Sequence, residues 1–155
     1  MNDPIAILKR DHREANALLK DLHHSKPGAK RRRRLEKLDA GLRLHMEIEE
    51  QELYPMVQAK IGDEPAEEAE IEHGLIRVAL DELAELVEQP GFGAAVAMIT
   101  AGVRHHVKEE ERDVFPELKR HLDRDELAAL GERVAAMKQT EKASGRRARA
   151  RATSR

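Results

Sequence analysis

The chain has 155 residues, a formal net charge of −2, 37% charged residues and 2% aromatics, and no cysteine. That length makes one compact domain with its own core, and the lack of cysteine excludes a disulfide framework and any thiolate metal site. No apolar run is long enough to span a membrane or serve as a signal peptide, so a soluble cytoplasmic protein is expected.

Tyr54, Phe92 and Phe115 are the whole aromatic set, so the core must be built from Leu, Ala, Val, Ile and Met, which favours helices. Asp3-Pro4 is an N-cap followed by a first-turn proline and starts helix A, which runs to about His24. Ser25 to Gly28 stops it. Helix B covers about Ala29 to Lys60, with Pro55 inside it, and helix C about Ala66 to Glu88. After Gln89 to Gly93, helix D runs from about Ala94 to His121 around Pro116, and Asp123 to Lys138 reads as a short fifth helix. Leu8, Leu18, Leu19 and Leu22 in helix A, and Ile71, Leu75, Leu83 and Leu86 in helix C, recur at helical spacing. Short loops between long helices predict an all-α, up-down-up-down four-helix bundle over residues 1–138.

Charge is unevenly spread. Lys138 to Arg155 holds seven basic residues and Glu141, a net of +6, so the first 137 residues carry −2 − 6 = −8. Residues 139–155 have little to bury and are expected to be a disordered basic tail. The run from Lys30 to Arg34 reads as a hydrated helix start, since no recognition motif accompanies it; contact with nucleic acid or anionic lipid is left only to the basic tail, where a solubilising role is at least as expected. Glu47, Glu50, Glu52, Glu109, Glu111 and Asp113 read mostly as solvated faces, with some placed to guide cations inward as the alternative.

The most informative pattern is an internal repeat at an offset of 61 residues. His12 falls on His73, His45 on His106, Glu49 on Glu110, Glu50 on Glu111 and Pro55 on Pro116, among matching apolar positions. Apolar matches alone say that two helical hairpins bury similar faces. Repeated His and Glu say more, because a bundle core has no packing use for them. His23, His24, His105 and His121 have no histidine partner at the offset and are expected at the surface. His45 and Glu49 stand four residues apart, as do His106 and Glu110, so each pair projects from one helix face and can grip one metal ion. His12 and His73 then enter from the other two helices. A sulfur-free set with two carboxylates between two imidazole groups suits a dinuclear iron or manganese site better than tetrahedral zinc.

On these residues the chain resembles the hemerythrin-like, or HHE cation-binding, family: Asp11-His12, His45 to Glu49-Glu50 with Leu53-Tyr54-Pro55, Glu72-His73, and His105-His106 to Glu110-Glu111 with Val114-Phe115-Pro116. The resemblance spans about Pro4 to Leu122. It implies two non-haem irons with an oxo or hydroxo bridge, held by His12, His45, Glu49, His73, His106 and Glu110. Oxygen-carrying members have a further histidine one turn after the first on helix C, where this chain has Arg77. Tyr54 stands where the second hairpin has Phe115, so it is either a replacement ligand or an aromatic plug. Without the extra histidine the expected activity is the processing of hydrogen peroxide or nitric oxide, peroxidase- or catalase-like. The alternative is oxygen or iron binding or sensing without turnover. The expected partner is a small diatomic or peroxide molecule, met by a monomer away from any membrane.

Overall fold

The computed structural model describes residues 2–154, which form helices and short turns with no strand among them. Helix α1 is Pro4–His23, and the Asp3 carboxylate accepts from the backbone N–H groups of Ile5 and Ala6, which capping of a helix start requires. Gly28, at φ 134°, turns the chain into α2, Ala29–Ile48. A π-helical turn, Glu49–Leu53, joins α2 to α3, Tyr54–Lys60, so the two form one rod. Helix α4 is Asp63–Glu85, and α5, Phe92–Glu109, continues through a second π turn, Glu110–Val114, into α6, Phe115–His121. Asp123 and Glu126 close a capping box at the start of α7, Arg124–Thr153.

The two π turns share a cause in the sequence. Pro55 and Pro116 have no N–H to donate to the preceding turn, and each ring clashes with the carbonyl four residues back. The helix widens ahead of the proline instead of breaking. Tyr54 N–H bonds to Glu49 O and Phe115 N–H to Glu110 O, five residues back in each case.

Helix α1 packs on α2 and α5, α4 packs on α5 and α3, and α7 lies along α1. The core falls into two apolar clusters. One, built on Leu19, Leu38, Leu80, Phe92 and Ile99, fills the end with the α1–α2 and α4–α5 turns. The other, built on Leu8, Leu53, Val57, Phe115, Leu118, Leu130 and Val134, fills the opposite end. Buried His12, His45, Glu49, His73, His106 and Glu110 are charged or polar exceptions to this apolar interior.

Three sequence expectations are corrected here. Ile71 and Leu75 are 68% and 67% exposed, because α4 turns Ala69, His73, Ile76, Leu80 and Leu83 inward and leaves the other stripe outside. Arg31 is buried, not hydrated: its guanidinium lies 4.3 Å over the Phe92 ring and donates to Val87 O and Ser25, tying together two turns at one end. The fifth helix does not stop at Lys138. It continues to Thr153 with residues 139–154 exposed, since a segment rich in Ala and Arg carries good helix formers and no proline. No helix among the described residues is long and apolar enough to cross a membrane.

Candidate metal centre

All four repeated histidines point their Nε2 atoms at one another and at two glutamates. His12 Nε2 is 3.0 Å from His45 Nε2, and His73 Nε2 is 3.1 Å from His106 Nε2. Glu49 lies between the two pairs. Its Oε1 is 2.8 Å from His45 Nε2, and its Oε2 is 3.1 Å from His73 Nε2 and 3.7 Å from His106 Nε2. Glu110 Oε1 is 2.8 Å from His106 Nε2 and 3.6 Å from His12 Nε2. Two ligand groups result: His12, His45, Glu49 and Glu110, and Glu49, His73 and His106, with Glu49 in both.

Tyr54, 2% exposed, belongs to the same cluster. Its hydroxyl donates to Glu49 Oε2 at 3.1 Å and lies 3.0 Å from His73 Nε2 and 3.5 Å from Glu110 Oε2. In an unbroken α-helix, residues five apart stand about 140° from each other around the axis. The π turn closes on the residue five back and brings Glu49 and Tyr54 to one side. Phe115, its counterpart, stacks on the His12 ring at 5.8 Å and 6° instead. The structure thus places all seven sequence-predicted site residues together.

Each histidine is fixed from behind by a carboxylate on its Nδ1 atom. Asp11 Oδ2 holds His45 at 3.0 Å and Glu72 Oε1 holds His106 at 2.8 Å. Glu111 Oε1 holds His12 at 2.9 Å and Glu50 Oε2 holds His73 at 3.2 Å. Such partners fix the tautomer, leaving Nε2 with a lone pair for a metal, and raise the basicity of the ligand. Arg77 donates to both oxygens of Glu50, so the residue in place of the additional histidine supports His73. The expectation that Glu50 and Glu111 are solvated faces is therefore corrected. The signal was in the sequence: Asp11 and Glu72, and Glu50 and Glu111, are themselves pairs at the offset of 61. The reach of each acid to a histidine on another helix was not readable there.

Without a cation the cluster balances its charge with protons. Burial opposes a charge on His45, but the Glu49 carboxylate and the Asp11 hydrogen bond outweigh it and raise its pKa to about 10. Burial likewise opposes a charge on His106, and Glu110 and Glu49 raise it to about 11. Glu49 is held well below the ordinary carboxylate range despite its burial, by His45, His106 and His73. Tyr54 is pushed far above its ordinary value by burial and then by Glu49 and Glu110, so its phenol keeps its proton.

The donor set fits a metal. Glu49 Oε1 and Glu110 Oε1 are buried with no hydrogen-bond partner among the described residues; each lies 2.8 Å from an imidazole but out of hydrogen-bonding alignment. Desolvating a carboxylate costs several kcal/mol even when it is partly paired. Two such groups facing four imidazoles destabilise a core unless a cation takes up their lone pairs.

The Hemerythrin HHE cation binding domain family matches residues 3–118 of this chain. The chain belongs to that family. Among solved structures, a Hemerythrin HHE cation binding domain-containing protein of Mycobacterium kansasii superposes with a TM-score of 0.80 at 26% identity, covering 96% of this chain and 93% of that one. A DNA nickase of Nostoc sp. is 25% identical over 121 residues, 77% of this chain and 34% of the nickase, so the chain spans about a third of that relative's length. His23, His24, His105 and His121 are exposed, in keeping with their lack of partners in the repeat. His105 faces Glu72 and Glu109 at the surface and its neighbour His106 enters the cluster.

Proposed function

We propose that this HHE domain holds two non-haem iron ions inside an up-down-up-down four-helix bundle and processes hydrogen peroxide or nitric oxide there. His12, His45, His73 and His106 would hold them through neutral nitrogens, with Glu49, Glu110 and Tyr54 as the oxygen donors. The sulfur-free donor set and the shared carboxylate favour an iron pair over zinc, which takes a closed tetrahedron. When bound, an oxo- or hydroxo-bridged iron pair supplies the redox chemistry.

The residues around it set the conditions. A cavity of about 130 Å³ runs from Glu14, Lys37, Gly41 and Lys138 at the surface to His12, His45 and His106, along Ala15, Leu38, Leu42, Ile76 and Val103. Its size suits molecules of a few heavy atoms, and its apolar walls keep bulk water from the ligands. The Glu49 and Glu110 charges favour the protons that His45 and His106 carry in the metal-free protein, and a cation displaces those protons.

The observation that carries the functional reading is the Tyr54 hydroxyl, 3.0 Å from His73 Nε2 and 3.1 Å from Glu49 Oε2. An anionic phenolate there stabilises ferric over ferrous iron, which opposes reversible oxygen carriage. Burial and two carboxylates keep the phenol protonated in the metal-free protein, so only a cation makes it a phenolate. The oxidised, iron-loaded protein is expected to show a phenolate-to-iron absorption band that vanishes in Tyr54→Phe, and to consume peroxide or nitric oxide catalytically. An unchanged spectrum in Tyr54→Phe removes the phenolate ligand. Reversible oxygenation of the reduced protein overturns the functional reading in favour of oxygen binding.

A further inference from the structure

The repeat makes two hairpins, but α7 occurs once. Over the first hairpin, Leu130 and Val134 of α7 bury themselves against Ile5, Leu8, Ile48 and Leu53. Gly131 permits this approach, since a Cβ there would stand 1.8 Å from Asn2 O. Arg133 Nε bonds Glu52 Oε2 at 2.6 Å, and Lys138 Nζ bonds Asp11 Oδ1 at 2.5 Å. Adding 61 to Asp11 and Glu52 gives Glu72 and Asp113. Those two residues line an open pocket of about 300 Å³ between α4, α5 and α6, at the place in the second hairpin that α7 covers in the first.

This pocket carries one sign of charge. Glu68, Glu72, Glu109, Asp113 and Glu117 line it, and none of its lining side chains is Lys or Arg. Arg112 and Arg120 pair with Asp113 and Glu117 from outside the lining, and His105 meets Glu72 and Glu109. These pairs are largely exposed and screen the carboxylates only weakly. At its inner end the pocket is lined by two cluster residues, His106 and Glu110, 4% and 2% exposed. Glu110 Oε1 is one of the two buried oxygens with no hydrogen-bond partner.

Resting on the metal-centre reading, we propose that this acidic pocket is the port by which a divalent cation reaches the cluster, handed from Glu68, Asp113 and Glu117 to Glu110 and His106. Helix α7 closes the matching port over the first hairpin. A cleft of one charge sign concentrates counter-ions and raises their association rate by about 10- to 1,000-fold. Small neutral molecules and cations thus reach the centre from different sides, the former along the apolar cavity at α1 and α2.

The test is the rate at which the full-length metal-free chain takes up cobalt(II), followed by stopped-flow absorption of the cobalt bands. The Glu68→Gln, Asp113→Asn, Glu117→Gln triple variant is expected to load about 10-fold more slowly at low ionic strength and to reach the same final cobalt content. Salt should slow the wild type until the difference closes, a measurement that needs no variant. A control with the same charge change elsewhere, Glu14→Gln, Asp21→Asn and Glu36→Gln, should load at the wild-type rate. Equal rates for wild type and triple variant, an equal slowing in the control, or a salt-independent wild-type rate overturns the port and leaves the metal centre standing. A wild-type chain that takes up no cobalt at equilibrium overturns both.

Discussion

The hairpin of α1 to α3 and the hairpin of α4 to α6 present the same ligands at the same spacing, yet their environments differ in two respects. Tyr54 puts a hydroxyl into the cluster where Phe115 stacks on His12, and α7 seals the first hairpin while the second keeps an acidic pocket. A repeat builds a cage with matched halves, and single differences then make its two ligand groups unequal. Glu49 shows the consequence, since its two oxygens face the two histidine pairs separately, whereas a single oxygen of Glu110 lies 2.8 Å from His106 Nε2 and 3.6 Å from His12 Nε2.

The sharpest way to break the comparison is to remove the two glutamates separately. Glu49→Ala is expected to lose both ions and Glu110→Ala to lose or weaken at least one, as read by elemental analysis of the purified variants. Two tightly held ions in both variants would refute the ligand assignment.

Proton titration gives the next effect. In the metal-free protein His45 and His106 titrate at about 10 and about 11, against an ordinary value of 6.5. A raised histidine pKa means stability that is full below about 6.5 and lost as pH climbs through the folded values. The denaturation midpoint of the metal-free protein should therefore fall steadily from pH 7 to pH 10. Metal loading, which displaces those protons, should flatten that dependence. A metal-free midpoint that rises over the same range contradicts the protonated pair.

A smaller effect is expected from the carboxylates behind the histidines. Asp11→Asn, Glu50→Gln, Glu72→Gln and Glu111→Gln should each lower metal affinity by about 10- to 100-fold. Asp11 and Glu50 are braced by Lys138 and Arg77, and Glu111 is half-buried without such a brace in the structure. Loss of Asp11 is therefore expected to exceed loss of Glu111 in competition titrations with a chelator. The reverse order would show that the brace does not matter.

Least of all should follow from cutting the chain after Gln139. Residues 140–154 are exposed along the end of α7 and make no contribution to either apolar cluster. Metal content should stay the same and stability should move by less than about 0.5 kcal/mol. A loss of metal or a collapsed thermal transition would show that the end of α7 supports the bundle.

The sequence determined much of this protein, and the reason is periodicity. A helix maps spacing onto direction, so His45 with Glu49 and His106 with Glu110 share faces wherever the helices pack, and the 61-residue offset separates His12 and His73 from the four unmatched histidines. Proline and capping residues likewise marked where helices start, and the all-helical class followed from composition. Tertiary structure decided the rest, because contacts between helices are not written in local spacing. Whether Ile71 and Leu75 face the core depends on which stripe of α4 meets α5. That Asp11 meets His45 and Lys138, 34 and 127 residues away, depends on how α1 lies against α2 and α7. Tyr54 enters the cluster because a proline is accommodated by widening the turn before it, which moves the ring from the far side of the helix to the side of Glu49.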